Sequence, residues 1–226
     1  MNGISLTNLS IRGIRKHSKT LTHLDLSDCT EAKSELFREL IINCDELVEA
    51  NFSNLALDDE DVKVIGTHLS SKIVRLNLKG LWEFSDENIQ TLVRRCNKIE
   101  ELNLRNTSIT EVGVKEIIEN LCNLSKIALS DDIDAKEYKG LGTMPNLKFL
   151  WSFPFIAYDE EFYYAENPEE FLENQDKLEK LFPHLDINCD LDGPIISTDF
   201  ISFQPKEYDL KPKIIQHNRR KKLKVT

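Results

Sequence analysis

The 226-residue sequence predicts an α/β solenoid with parallel strands on its concave face and helices on its convex face, and three observations predict it. The pattern apolar-x-x-apolar-x-apolar recurs along the chain. Its copies begin at Leu21, Leu47, Ile73, Ile99, Leu124 and Leu147, with start-to-start spacings of 26, 26, 26, 25 and 23 residues. After several copies the apolar period changes from two to about 3.6, as a strand followed by a helix requires.

The elements follow in order. Leu21-x-x-Leu24-Asp-Leu26, Leu47-x-x-Ala50-Asn-Phe52, Ile73-x-x-Leu76-Asn-Leu78, Ile99-x-x-Leu102-Asn-Leu104, Leu124-x-x-Ile127-Ala-Leu129 and Leu147-x-x-Leu150-Trp-Ser152 supply the strands. Between them, Val62, Ile65 and Leu69 share a helical face, as do Ile89, Leu92, Val93 and Cys96, and then Val114, Ile117, Ile118 and Leu121. Helix starts are marked by Ser85 before Asp86-Glu87 and by Thr110 before Glu111, where a side-chain oxygen caps the helix and acids meet the positive end of its dipole. A strand-helix unit of about 26 residues cannot bury its own apolar faces, so the units must stack. The period lies in the range of leucine-rich repeats, giving a horseshoe with the strands inside. Weaker copies flank the run at Leu6-x-x-Leu9-Ser-Ile11 and Phe182-x-x-Leu185-Asp-Ile187.

We read residues 1–188 as the repeat domain, with an acidic insertion at about 154–180, and 189–226 as a C-terminal tail. Between Asp159 and Glu179 there are nine acids and one base, Lys177, whereas the tail ends in the basic run Arg219-Arg-Lys-Lys-Leu-Lys224. That run is either a nuclear import signal or a solvated end. The first copy begins almost at Met1 with no terminal unit to shield it, so the chain is expected to be a fragment.

A net charge of −10 argues against phosphate-driven nucleic-acid binding, and no apolar stretch is long enough for a membrane span. Met1-Asn-Gly-Ile-Ser-Leu has neither the basic nor the apolar part of a secretory signal. The five cysteines form no C-x-x-C pair, which suits reduced thiols and a location in nucleus and cytoplasm. Cys44, Cys96 and Cys122 are expected to fill equivalent slots at helix ends as small apolar groups. The histidines share no metal spacing, and no nucleophile elbow, phosphate loop or carboxylate pair is present. No enzymatic activity and no cofactor are expected.

Leu21-x-x-Leu24-Asp-Leu-Ser-Asp-Cys29 and Leu92-Val-Arg-Arg-Cys96-Asn-Lys-Ile99 resemble the cysteine-containing repeats of the F-box/leucine-rich-repeat protein family. Met144-Pro-Asn-Leu-Lys-Phe-Leu-Trp151 and Leu181-Phe-Pro-His-Leu-Asp-Ile-Asn188 are similar to the end of the repeat domain in that family. The resemblance implies the substrate-binding part of an SCF-type ubiquitin-ligase adaptor, with a role in cell-cycle control. The implied partners are a protein substrate, phosphorylated in some cases, and in some cases a cyclin-dependent-kinase accessory protein. No F-box precedes Ile4, so the ligase core is a partner only if that module is supplied upstream. The alternative is an F-box-less scaffold or inhibitor that occupies a partner's surface.

Strand alternation places every second side chain on the concave face, so the candidate protein-binding residues can be named. They are Asp25, Asn51, Arg75, Asn77, Lys79, Glu101, Asn103, Arg105, Lys126, Phe149, Trp151 and Phe153. Asp25, Asn51, Asn77 and Asn103 form a central polar column expected to bond within itself and to water. The rings of Phe149, Trp151 and Phe153 point to the same side and require a cover, either residues 189–217 folded back or a partner. Arg75 and Arg105 are expected to be exposed, so that reversing their charge would weaken an acidic partner and leave folding intact.

Overall fold

The computed structural model describes residues 13, 16–29, 34–129, 137–152, 180 and 183–188. Each copy of the apolar pattern becomes a short strand centred on its middle apolar residue. These are β1 (His23–Asp25), β2 (Glu49–Asn51), β3 (Arg75–Asn77), β4 (Glu101–Asn103), β5 (Lys126–Leu129) and β6 (Phe149–Ser152). The weak copy at Phe182 supplies β7 (Asp186–Asn188). The copy at Leu6 lies outside the described residues, as do the insertion at about 154–180, apart from Lys180, and the tail from 189 onward. The seven strands form one parallel sheet in chain order. Its register preserves the repeat through β6, where Leu24, Ala50, Leu76, Leu102, Ile127 and Leu150 align; at β7 it is Ile187 that pairs with Leu150, two residues beyond the Leu185 that the weak copy predicts.

Such brief strands hold because their ladder continues past both ends. Before the strands, Val48, Val74, Glu100 and Ser125 each donate a backbone N–H to the previous repeat at 2.8 Å. After them, Leu26, Phe52, Leu78 and Leu104 donate at 2.8–2.9 Å to carbonyls of the following repeat. The strands then end in a left-handed residue at the same place in four repeats: Asp28 (φ 60°), Asn54 (φ 57°), Gly80 (φ 77°) and Asn106 (φ 55°). Asp, Asn and Gly are the residue types that tolerate this conformation. The Asn54 side-chain amide also donates to the Asp28 carboxylate at 3.0 Å, tying adjacent turns together.

The parallel connections run over the convex side through α1 (Ser34–Asn43), α2 (Asp59–His68), α3 (Asp86–Arg95) and α4 (Glu111–Asn120). A 3-10 helix, Glu137–Thr143, takes that place between β5 and β6. Thr110 caps α4 by accepting the Val112 N–H at 3.2 Å. At α3 the Asn88 side-chain oxygen accepts from both the backbone N–H and the hydroxyl of Ser85. A third cap was not read from the sequence: Asp58 and Asp61 each accept the other's backbone N–H at the start of α2. Asp61 is buried, and Arg38 of α1 lies 3.1 Å from its carboxylate.

Between sheet and helices, Leu26, Phe52, Leu78, Leu104 and Leu129 are stacked and buried against Phe37, Ile65, Leu92 and Ile117 from the helices. Burying each such side chain is worth about 1.5–3 kcal/mol. Phe37 meets Phe52 edge-on with ring centroids 5.6 Å apart. Cys44 and Cys96 fill the helix-end slots as expected, both buried. Cys122 does not, because it is exposed. The unit containing α4 is shorter, so the buried Leu121 caps that helix in the place Cys96 occupies on α3.

Candidate functional site

The concave face consists of three rows that run across the strands. The first is His23, Glu49, Arg75, Glu101, Lys126, Phe149 and Asp186 in direct register. From Glu49 through Lys126 its charges alternate in sign, and they pair. Arg75 bridges to Glu49, His23 lies 3.4 Å from the same Glu49 oxygen, and Lys126 reaches Glu101 at 3.0 Å. The Glu49 side chain is only 4% exposed and that of Arg75 32%. Arg75 is therefore the counter-charge of a buried carboxylate, which corrects the expectation of a free, exposed arginine.

The central row is Asp25, Asn51, Asn77, Asn103, Ala128, Trp151 and Asn188. Here the expected bonding within the column gives way to a local one. The side-chain oxygens of Asp25, Asn51, Asn77 and Asn103 accept the backbone N–H two residues on, from Ser27, Ser53, Lys79 and Arg105, at 2.9–3.2 Å. A short side chain bonding its own backbone in this way closes a turn. The three asparagines are buried, so the column shapes the strand ends and offers a partner little surface.

Beyond the strand ends lies a third row, Ser27, Ser53, Lys79 and Arg105. Arg105 stacks its guanidinium on the Trp151 ring, with Cζ 3.4 Å from the ring centroid, a cation–π contact. Arg105 follows β4 and Trp151 sits on β6, so the contact spans β5 where the central row carries the small Ala128. Trp151 is 1% exposed, so the ring is covered, with the Arg105 guanidinium on it; residues 189–217, expected as a cover, lie outside the described residues. Phe149 is half-buried in the first row, and Phe153 lies outside the described residues.

Lys79 shares the row and the field of Arg105. Burial, then repulsion from Arg105, push its ammonium down to about 8, with Asp28 opposing. Cys44 and Cys96 are pushed up to about 11, chiefly by burial. Both shifts give a testable pH profile. Below pH 8, Lys79 is protonated folded and unfolded and its penalty is complete; between about 8 and 10.5 only the unfolded chain holds that proton, so stability rises by ~1.4 kcal/mol per pH unit. From 9.0 to about 11 the folded chain keeps two thiol protons that the unfolded chain has lost, so each lowers stability by a similar amount. Urea midpoints should thus peak near pH 9, and Lys79→Met should remove the rise below that peak. A profile unchanged by the substitution would contradict the burial of the lysine.

Among the described residues no group of His, Cys, Asp or Glu could hold a metal ion, and no helix is long and apolar enough to cross a membrane. A family model described as the SKP2 LRR domain matches residues 1–191. A solved structure described as "Leiomodin-1 Actin-Binding Site 2 (ABS2)" is similar over 97% of this chain and 96% of that one, at 10% identity and a TM-score of 0.37.

Proposed function

The chain belongs to the SKP2 LRR-domain family, and from that premise we propose that it selects a protein substrate, through its concave face, for an SCF-type ubiquitin ligase. The family membership itself establishes a leucine-rich-repeat module for protein interaction, a class that is in general non-catalytic. The observation that carries the finer reading is the charge map. The first row cancels its own charge, and the central row is turned to its own backbone. The third row carries two cations, Lys79 and Arg105, and after burial the charge of Arg105 helps to hold the Lys79 ammonium below its ordinary value, with Asp28 opposing. An acidic or phosphorylated segment entering the concave face offsets that charge, and the half-buried Phe149 offers apolar contact nearby.

In this reading the ligase core joins through an F-box supplied upstream, and a cyclin-dependent-kinase accessory protein is a further partner where the substrate is phosphorylated. The place of action is nucleus and cytoplasm. Affinity purification from proliferating cells, followed by mass spectrometry, tests it. An acidic protein should be retained, and phosphatase treatment or raised salt should release it, because exposed charge contacts are screened. Retention insensitive to both treatments would contradict the proposal.

A further inference from the structure

We propose that the edge of the solenoid where the helices begin is a second docking site, for a Lys/Arg-rich segment of another protein, with Trp82 as its anchor. Trp82 lies between β3 and α3 and is 55% exposed, whereas Leu81 and Phe84 of the same turn are buried. Lone exposed apolar residues are common, so the surroundings of the ring, which offers a large area to a partner, decide its use. Its repeat equivalents are the small, exposed Ala56 and Ser108. Ser108 donates its hydroxyl to the Trp82 carbonyl, which holds the two turns side by side. The indole is thus more than half exposed, and its counterparts in the adjoining repeats are small side chains.

The chemistry of that edge chooses the occupant. Residues 54–61, 80–88 and 106–112 contain eight acids, namely Asp58, Asp59, Glu60, Asp61, Glu83, Asp86, Glu87 and Glu111, and no Lys or Arg. Asp61 is buried and Asp86 accepts from Thr110, but Asp58, Asp59, Glu60, Glu83, Glu87 and Glu111 are exposed. Acids in first helical turns stabilise the helix dipole, so they alone indicate no ligand. Glu83 is in no helix and follows Trp82 directly, and Val112 on the same edge is a second exposed apolar side chain. An arginine or lysine laid on the indole face gains a cation–π contact while its neighbours meet the carboxylates. This site is separate from the concave face, so either proposal can fail alone.

The test uses the whole chain and a fluorescent peptide of alternating lysine, arginine and glycine, with a glutamate–glycine peptide as control. The basic peptide should bind saturably and the acidic one should not. Trp82→Ala and Glu83→Lys should each weaken binding roughly tenfold and leave the melting temperature unchanged, because both side chains are solvent-facing. Equal binding by wild type and variants would overturn the proposal, as would no binding at all. A dimer that Trp82→Ala converts to monomer would assign the surface to a second copy instead. Binding seen only after Arg219, Arg220, Lys221, Lys222 and Lys224 are changed to serine would assign it to the chain's own end, and that too overturns the proposal.

Discussion

Replacing Arg75 with glutamate should destabilise the protein by about 3–5 kcal/mol, the loss typical of breaking a buried ion pair from one side. Register places a carboxylate there directly between Glu49 and Glu101, and Glu49 is nearly inaccessible to water. His23, more than half exposed, is a poor substitute for the lost guanidinium. The change should appear as a large fall in the urea midpoint, with a smaller fall for Arg75→Met, which removes the pairing without adding repulsion. Combining Glu49→Arg with Arg75→Glu should recover part of the loss. A midpoint that does not move would show that the alternating charges are solvated and hold nothing.

Truncating Trp151 to alanine should cost about 3–5 kcal/mol as well, from the cavity left by a large buried ring. Two further effects separate it from an ordinary core substitution. Arg105 loses the surface it stacks on, and β6 loses the side chain that reaches back over Ala128 toward β4. The damage should therefore start at the C-terminal end of the sheet. Amide exchange should accelerate in β5, β6 and β7 before it does in β2 and β3, because each repeat of a solenoid leans only on its neighbours. Trp151→Phe, which keeps a ring under the guanidinium, should restore most of the stability. Uniform acceleration through all repeats would contradict a local role.

The strands and helices were legible because the chain states them repeatedly. Leu24, Ala50, Leu76, Leu102, Ile127 and Leu150 recur in one register, so an error at one copy is corrected by the next. The left-handed turn was equally periodic, at Asp28, Asn54, Gly80 and Asn106, and could have been found by aligning the copies on the residue after the strand. Cys122 does not fill the helix-end slot because the shortened unit puts Leu121 there. The candidate site was legible only as a list of concave positions. Alternation says which side of a strand a residue leaves from, but it does not say what leans over it. Nothing in the period of two distinguishes an exposed arginine from Arg75 on a buried carboxylate, or from Arg105 on an indole two strands away. Ala128, the one small apolar residue in a column of polar side chains, was the signal for that second contact.

The concave face as the surface that reads a partner is tested most directly by one comparison. Affinity purification is carried out in parallel with the wild-type chain, with Lys79→Glu in the third concave row, and with Lys115→Glu at an exposed position of the convex helix α4. Both substitutions reverse one charge, so bulk electrostatics change equally. A protein held by the wild type and by Lys115→Glu should be lost, by about tenfold or more, from Lys79→Glu. Equal retention by all three would contradict that role for the concave face.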